Sequence, residues 1–436
     1  MQQQQEQNGL VWFRNNLRVN DNASLKKATE NHQKVIAVYF FDPKLFKTDA
    51  FGFQKTAKFR AKFLIETIAD LKKNLADLNI TLFTYFESPE DKIAEICSQF
   101  SISNIYSQKE WTPEEINTNQ LVKEQLSKEI TLIEEYDQFL YHPNLVSTDF
   151  SNIPNVFTLF RKKLEKYVSI SEEATATKCY KENLVENNTK IPTLKDLGFD
   201  EFEVPTKTAF PFSGGETEAL KRIDAYFFET KKVAFYKKTR NGLVGTDYST
   251  KFSAWLANGS ISAKTIYYKI KEFEAEFGAN QSTYWVIFEL IWRDYFKYIS
   301  LKYDTKIFKI SGILDKEYQW YNYQKDINKW IHGETKDDFV NANMIELQQT
   351  GWMSNRGRQN VASYFAKELL LDWRIGAAYF ESVLIDYDVH SNYGNWMYVA
   401  GVGNDSRNRK FNTQLQADRY DANHKFRKLW LEKTLF

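Results

Sequence analysis

Cysteine and histidine are scarce. The 436-residue chain has two cysteines, Cys97 and Cys179, and no CxxC pair. Neither a disulfide framework nor a thiolate zinc site is expected, and a reducing cytoplasm is. The five histidines, His32, His142, His332, His390 and His424, lie far apart without HxxxH spacing, so no metal centre is expected. Neither sign of charge dominates. The 58 Lys+Arg and 57 Asp+Glu leave a net charge of +1, so any nucleic-acid site must be a local patch. No apolar run reaches about eighteen residues, which argues against a membrane span. The opening MQQQQEQNGL lacks the basic and apolar parts of a signal peptide, and residues 1–8 read as a disordered leader.

Aromatic residues are abundant instead: 34 Phe, 25 Tyr and 11 Trp, or 16% of the chain. Only Trp12 and Trp111 precede residue 201. Two readings stay open. One is a large helical core with a partner-binding surface. The other is an aromatic cofactor or stacked bases in the second half.

Residues 9–140 alternate strand-like and helix-like stretches. Leu10–Phe13, Val35–Phe41, Ile80–Phe86, Ile102–Tyr106 and Ile130–Tyr136 read as strands. Phe63–Leu78, Asp91–Phe100 and Glu114–Leu126 read as helices. The alternation implies a parallel α/β sheet. After the first strand, RNNLRVNDN holds no glycine, so an ordinary dinucleotide cradle is not expected. Residues 141–213 are polar, with prolines at 143, 154, 192 and 205, and read as a connector. Residues 214–436 read as helical. The expected architecture is an N-terminal α/β domain, a long connector and a larger all-α domain.

Four constellations lie in the helical part. In FELIWRDYFKYIS, Glu289, Trp292 and Arg293 share a helix face, as a surface ion pair or as a site floor. In GWMSNRGRQN, Ser354 is a helix cap, with Asn355, Arg358 and Gln359 following. Arg356 and Arg358 fall on different faces, so at most one is expected to point at a given ligand. In IDYDVHSNYGNW, Asp386, Asp388, Asn392 and Asn395 suit an ion-pair network or a heterocycle with N–H donors. A paired-carboxylate hydrolase is a third option. In residues 236–256, Lys237, Lys238, Arg240 and Lys251 neighbour Thr246, Ser249, Thr250 and Ser253. That is a solvated basic loop or a phosphate site at a helix start.

Together these segments resemble the photolyase/cryptochrome family over nearly the whole chain. LVWFRNNLRVNDNASL resembles the family's opening strand and loop. YSTKFSAWLANGSIS resembles its flavin-phosphate segment. ELIWRDYF, TGWMSNRGRQNVASYFAKELLLDWRIGAAYFES and LIDYDVHSNYGNWMYVAGVGND resemble its flavin and substrate segments. TRNGL, Gln359 and Tyr398 point to the DASH type; duplex-active photolyases typically have Met and Trp at the last two positions. The sequence departs from the family's pattern at Asn16, at KDDFVNANM and at Ala254.

The resemblance implies a bound FAD held by Tyr236, Ser249, Thr250, Lys251, Phe252, Ser253, Arg293, Asn355, Arg358, Asp386, Asp388 and Asn392. It implies Glu289, Trp292 and Asn392 as the catalytic set, and electron transfer through Trp396, Trp373 and Trp320. It implies a DNA face of Arg240, Trp292, Arg356, Gln359, Tyr398, Arg407 and Arg409. Glu110 is the one contact carried over to a methenyltetrahydrofolate antenna. The implied activity is light-driven splitting of pyrimidine dimers in single-stranded DNA by a monomer. The alternative is a non-enzymatic blue-light sensor that binds DNA, RNA or a protein partner and signals through flavin redox state.

Overall fold

The computed structural model describes residues 7–404 and 410–432. Strands β1 (Asn8–Phe13), β2 (Val35–Phe40), β3 (Leu82–Tyr85), β4 (Ile102–Gln108) and β5 (Thr131–Glu135) form one parallel sheet. Its order is β3-β2-β1-β4-β5. Helices α1 (Ala23–Asn31), α2 (Lys58–Asp77), α3 (Pro89–Gln99) and α4 (Pro113–Gln125) supply the crossovers. Alternate residues of β1 feed opposite faces. Val11 and Phe13 pack with α1 and α2 residues such as Leu25 and Ile68, whereas Leu10 and Trp12 pack with Ile93 and Val122 of α3 and α4. With both faces covered, β2 is buried throughout, and its sequence is a continuous apolar run.

Residues 141–213 are not the passive connector their polarity suggests. Helix Phe157–Tyr167 sends Phe157, Phe160 and Leu164 into the helical core. The chain then returns to the sheet. Asn183 donates to the Val35 carbonyl and accepts from the Val35 N–H. Asn187 donates to the Leu82 carbonyl, and the Thr189 hydroxyl accepts from the Thr84 N–H. Asn187 and Thr189 thus satisfy the outer edge of β3, which is otherwise open to strand addition, while Asn183 ties the start of β2.

After Gly214 the described residues form helices and loops, with one isolated bridge between Tyr321 and Leu371. The longest helix, Gln281–Tyr303, begins with a reciprocal cap between Asn280 and Thr283. It also ties the two halves together. Its buried Asp294 accepts from the N–H groups of Leu140 and Tyr141. Buried Arg18 donates to the carbonyls of Asp21, Asp137 and Gly259. Gly259 has a φ of 72°, and a Cβ there would lie 1.9 Å from the Asn15 carbonyl oxygen. Gly259→Ala should therefore lower stability by about 1–3 kcal/mol. Gly245→Ala is the control, since its φ is 88° but nothing lies within 4 Å of the added carbon. Thermal unfolding of both variants checks this; equal shifts would show that the junction tolerates the extra carbon.

Among the described residues no helix is long and apolar enough to cross a membrane. None of them form a His/Cys/Asp/Glu cluster suited to a metal ion.

Candidate functional site

A cleft of about 510 Å³ opens in the helical half, within the range of cofactor sites. Three stretches of chain and the long helix meet in its walls. Ser249, Thr250, Lys251, Phe252, Ser253 and Tyr236 line one side. Buried Arg222 braces this segment, donating to the carbonyls of Thr246, Ser249 and Thr250 and pairing with Asp247 at 2.9 Å. The segment is thus fixed in a wall and is not a solvated loop. The helix that follows, Ser253–Ala257, is only five residues long. The helix start foreseen there therefore adds little dipole, and hydroxyls and Lys251 are left to attract an anion.

Lys251 is buried, with Nζ 3.3 Å from the centre of the Tyr248 ring and no hydrogen-bond partner. Burial pulls its pKa well below the usual lysine value. An unpartnered lysine beside three hydroxyl side chains suits a diphosphate, whose charge would favour the ammonium form again, so this wall fits FAD. Behind it lies Glu346, also buried, with one carboxyl oxygen unpartnered. Burial pushes Glu346 up to about 8, against Lys251 and Arg358. A carboxyl raised on folding subtracts stability as pH climbs from its unfolded value to its folded one. Glu346→Gln should thus unfold at nearly the wild-type temperature near pH 5 and at a higher one near pH 9. A variant equally or less stable near pH 9 contradicts this.

The second stretch is helix Asn355–Ser363, capped by Ser354, whose hydroxyl accepts from the Gly357 N–H. Arg358 points inward and places one nitrogen 2.8 Å from both oxygens of Asp386. Arg356 also borders the cleft, held by Asn241 and Gln359 and lying over the Tyr420 ring. The two arginines thus border the cleft from different faces of the helix. Asn355 is exposed where it lines the cleft.

The third stretch carries Asp386, Asp388 and Asn392. Asp388 caps helix Val389–Ala400 by accepting from the Ser391 N–H at 2.8 Å, and it pairs with Lys297 at 2.6 Å. Burial alone would raise its carboxyl, but Lys297 and neighbouring cations hold it well below the usual range. Asn392 donates to the Ala377 carbonyl at 3.0 Å.

The long helix presents Glu289, Trp292 and Arg293 to the same cleft. Glu289 pairs with Arg240 at 2.9 Å. Burial raises Glu289 and Arg240 opposes it. Arg240, foreseen as a phosphate contact, is here matched to a carboxylate. Arg293 donates to the carbonyls of Gln138 and Leu256, bracing the α/β half. Trp292 stacks on Phe157 at 3.6 Å and 10°, and its ring stands at 88° to that of Tyr398, 6.5 Å away. Phe157 was not foreseen, because nothing local in the sequence links residues so far apart.

Trp396 lines the cleft, and its buried indole N–H has no partner. Trp373 is fully buried and donates to the Ile310 carbonyl; Trp320 is half-buried beside Tyr318. Trp330, also unforeseen, lies 6.3 Å from Trp396 and is fully buried. A second, shallower pocket of about 460 Å³ sits past the end of β4 and includes Glu110, Trp111 and Glu134. Sheet order reverses between β1 and β4, where ligands of such sheets bind. Glu110 accepts from Gln108 and Asn15. Nearby Glu115 is pushed up to about 7 by burial and by Glu110. Arg407 and Arg409 lie outside the described residues.

A parallel α/β layer joined to a helical domain with this polar, aromatic-walled cleft defines the photolyase class of architecture. Family models agree: "DNA photolyase" matches residues 9–179, and "FAD binding domain of DNA photolyase" matches residues 285–434. Cryptochrome DASH of Danio rerio is 44% identical, the match covering 96% of this chain and 82% of that protein. Cryptochrome DASH of Gloeobacter violaceus is 41% identical, with 97% and 85% covered. The crystal structure of a Synechocystis cryptochrome superposes with a TM-score of 0.92 at 39% identity, covering 97% of this chain and 88% of that one. A class III photolyase from Agrobacterium tumefaciens shares the fold, with a TM-score of 0.81 at 24% identity over 98% of this chain and 86% of that one. The chain belongs to the photolyase/cryptochrome family, in its cryptochrome DASH branch.

Proposed function

We propose that the protein repairs cyclobutane pyrimidine dimers under blue or near-UV light and prefers single-stranded DNA. The observation that carries this reading is the corner made by Trp292 and Tyr398, two rings at right angles beside Glu289 and Gln359 in the cleft lining. The two rings of a pyrimidine dimer are inclined to each other, so each can lie against one wall of such a corner. Glu289 and Gln359 then meet the polar edges. In taking a carbonyl or N–H of the lesion, Glu289 gives up part of its pairing with Arg240, which frees that cation for phosphate. Ser249, Thr250, Ser253 and Lys251 hold the cofactor's diphosphate, and Arg358 and Asp386 face its ring. Reduced FAD, excited by light, supplies the electron that opens the dimer and takes it back.

Flipping a lesion out of a duplex costs a few kcal/mol, and least where pairing is already lost. A base–aromatic stack returns about 1–3 kcal/mol. Tyr398 offers less ring area than an indole, so the margin for duplex is small. The test is repair of one defined thymine dimer in single strand, bulge and duplex by fully reduced enzyme under light. Efficient repair in the single strand and weak repair in duplex is expected. Equal repair in all three refutes the preference; none in any of them favours a light sensor. For the second pocket we propose a folate antenna. Its acidic residue Glu110 suits the cationic methenyl bridge, and Glu110→Ala should abolish the antenna's absorbance in the purified protein.

A further inference from the structure

The cleft wall continues beyond Trp292. Phe288 and Trp285 lie on the same side of helix Gln281–Tyr303, about one and two turns back. Phe288 borders the cleft. Trp285 and Phe288 stack at 4.6 Å and 24°. Phe288 meets Phe157 edge-on at 5.2 Å, and Phe157 carries Trp292. Four rings thus run without a break from the corner outward, and Trp285, Phe288 and Trp292 are half-buried.

Cations flank this strip from two other helices. The ammonium of Lys237 lies 4.3 Å from the centre of the Trp285 ring, and the guanidinium of Arg161 lies 5.4 Å from that of Phe288. The polar contact of Lys237 is neutral, the Gln281 side-chain oxygen at 2.9 Å. Arg161 is partly matched, by Glu165 at 3.7 Å and the Tyr284 hydroxyl. Lys162 and Lys238 are exposed on the same two helices. Half-buried rings interleaved with cations suit unpaired nucleotides, whose bases are free to stack while their phosphates meet the charge. A duplex, with its bases already stacked, cannot use the rings. Seven residues of helix separate Trp285 from Trp292, roughly 10 Å, so the strip reaches chain next to the lesion and not the lesion itself.

We propose that this strip docks the unpaired nucleotide flanking the dimer on the same strand, with its base on Trp285 and its phosphate on Lys237. The proposal rests on the DNA reading above. Lys237 shifts from the ring face to the phosphate as the base arrives.

The test is dark binding by the FAD-loaded protein, using three probes: an isolated thymine-dimer dinucleotide, a single-stranded oligonucleotide with one central dimer, and the same dimer in duplex. Trp285→Ala should weaken the single-stranded oligonucleotide about tenfold and the dinucleotide much less, the residual loss coming through the neighbouring Glu289. Trp285→Phe should keep most of the affinity. Lys237→Gln should reduce the slope of log affinity against log salt by about one for the oligonucleotide. Unchanged oligonucleotide affinity overturns the proposal. So does an equal loss on oligonucleotide and dinucleotide, which marks a structural role, or a larger loss on duplex. Failure of the wild-type protein to bind the dinucleotide sinks the dimer-repair reading instead, and is scored separately from the effect of the variants.

Discussion

Trp396→Phe, with FAD bound, should lose most photoreduction of the oxidised flavin yet keep dimer repair once chemically reduced. Trp396 lines the cleft, as do Trp292 and Trp352, and its indole N–H is buried without a partner. An indole is easily oxidised, so it can supply an electron from that wall. Repair returns its electron to the donor and needs no outside supply, so the two activities should separate. Two routes outward from Trp396 are to be distinguished. The one the family resemblance implies leads through Trp373 to Trp320, which is partly exposed and open to a reductant in solution. The other leads to Trp330, whose ring centre is 6.3 Å away and which is fully buried. A buried terminus cannot be refilled from solvent, so Trp373→Phe should also suppress stable reduction, while Trp330→Phe should not. Photoreduction at constant illumination, followed by flavin absorbance, measures all three. Wild-type behaviour of Trp396→Phe would make these residues core aromatics only, and loss in Trp330→Phe alone would move the route to the second branch.

Much of this architecture could be read from local pattern. The run VIAVYFF announces a strand buried on both faces, and β2 is buried at every position. Spacing put Glu289, Trp292 and Arg293 on one helix face, and the structure turns that face into the cleft. What local pattern could not supply is pairing across long separations. Asp388 reads as a member of an ion-pair network, but its partner there, Lys297, lies on another helix. Trp292 reads as an open stacking plate, but one face is already taken by Phe157 from the segment that looked like a linker. The polarity of that segment misled for a physical reason. Asn187 and Thr189 are polar because they satisfy the edge of β3, and Asn183 because it bonds the start of β2. Trp330 was invisible for a different reason: among many aromatics, a buried indole carries no sequence mark of which other indole it touches.

Arg358→Met should damage the cleft more than any other single change considered, and more than Asp386→Asn. The two side chains are joined by contacts of 2.8 Å to both carboxylate oxygens. Their exposure differs: the Asp386 side chain is 2% exposed and that of Arg358 is 24%. Removing the arginine strands a carboxylate with almost no water to solvate it, and breaking a buried pair in that way costs about 3–5 kcal/mol. Removing the carboxylate charge instead leaves Arg358 with its bond to the Met353 carbonyl and with access to water, so the loss should be smaller. A chain that keeps the pair only to hold its fold would show the stability difference and unchanged FAD content in both variants. A chain that uses the pair to face the flavin should lose FAD in both, including the better-folded Asp386→Asn. Denaturant unfolding together with the ratio of flavin to protein absorbance separates the two cases. If Arg358→Met proves as stable as wild type, the pair is not the electrostatic anchor of the cleft. If Asp386→Asn retains full FAD, the pair serves the fold and not the cofactor.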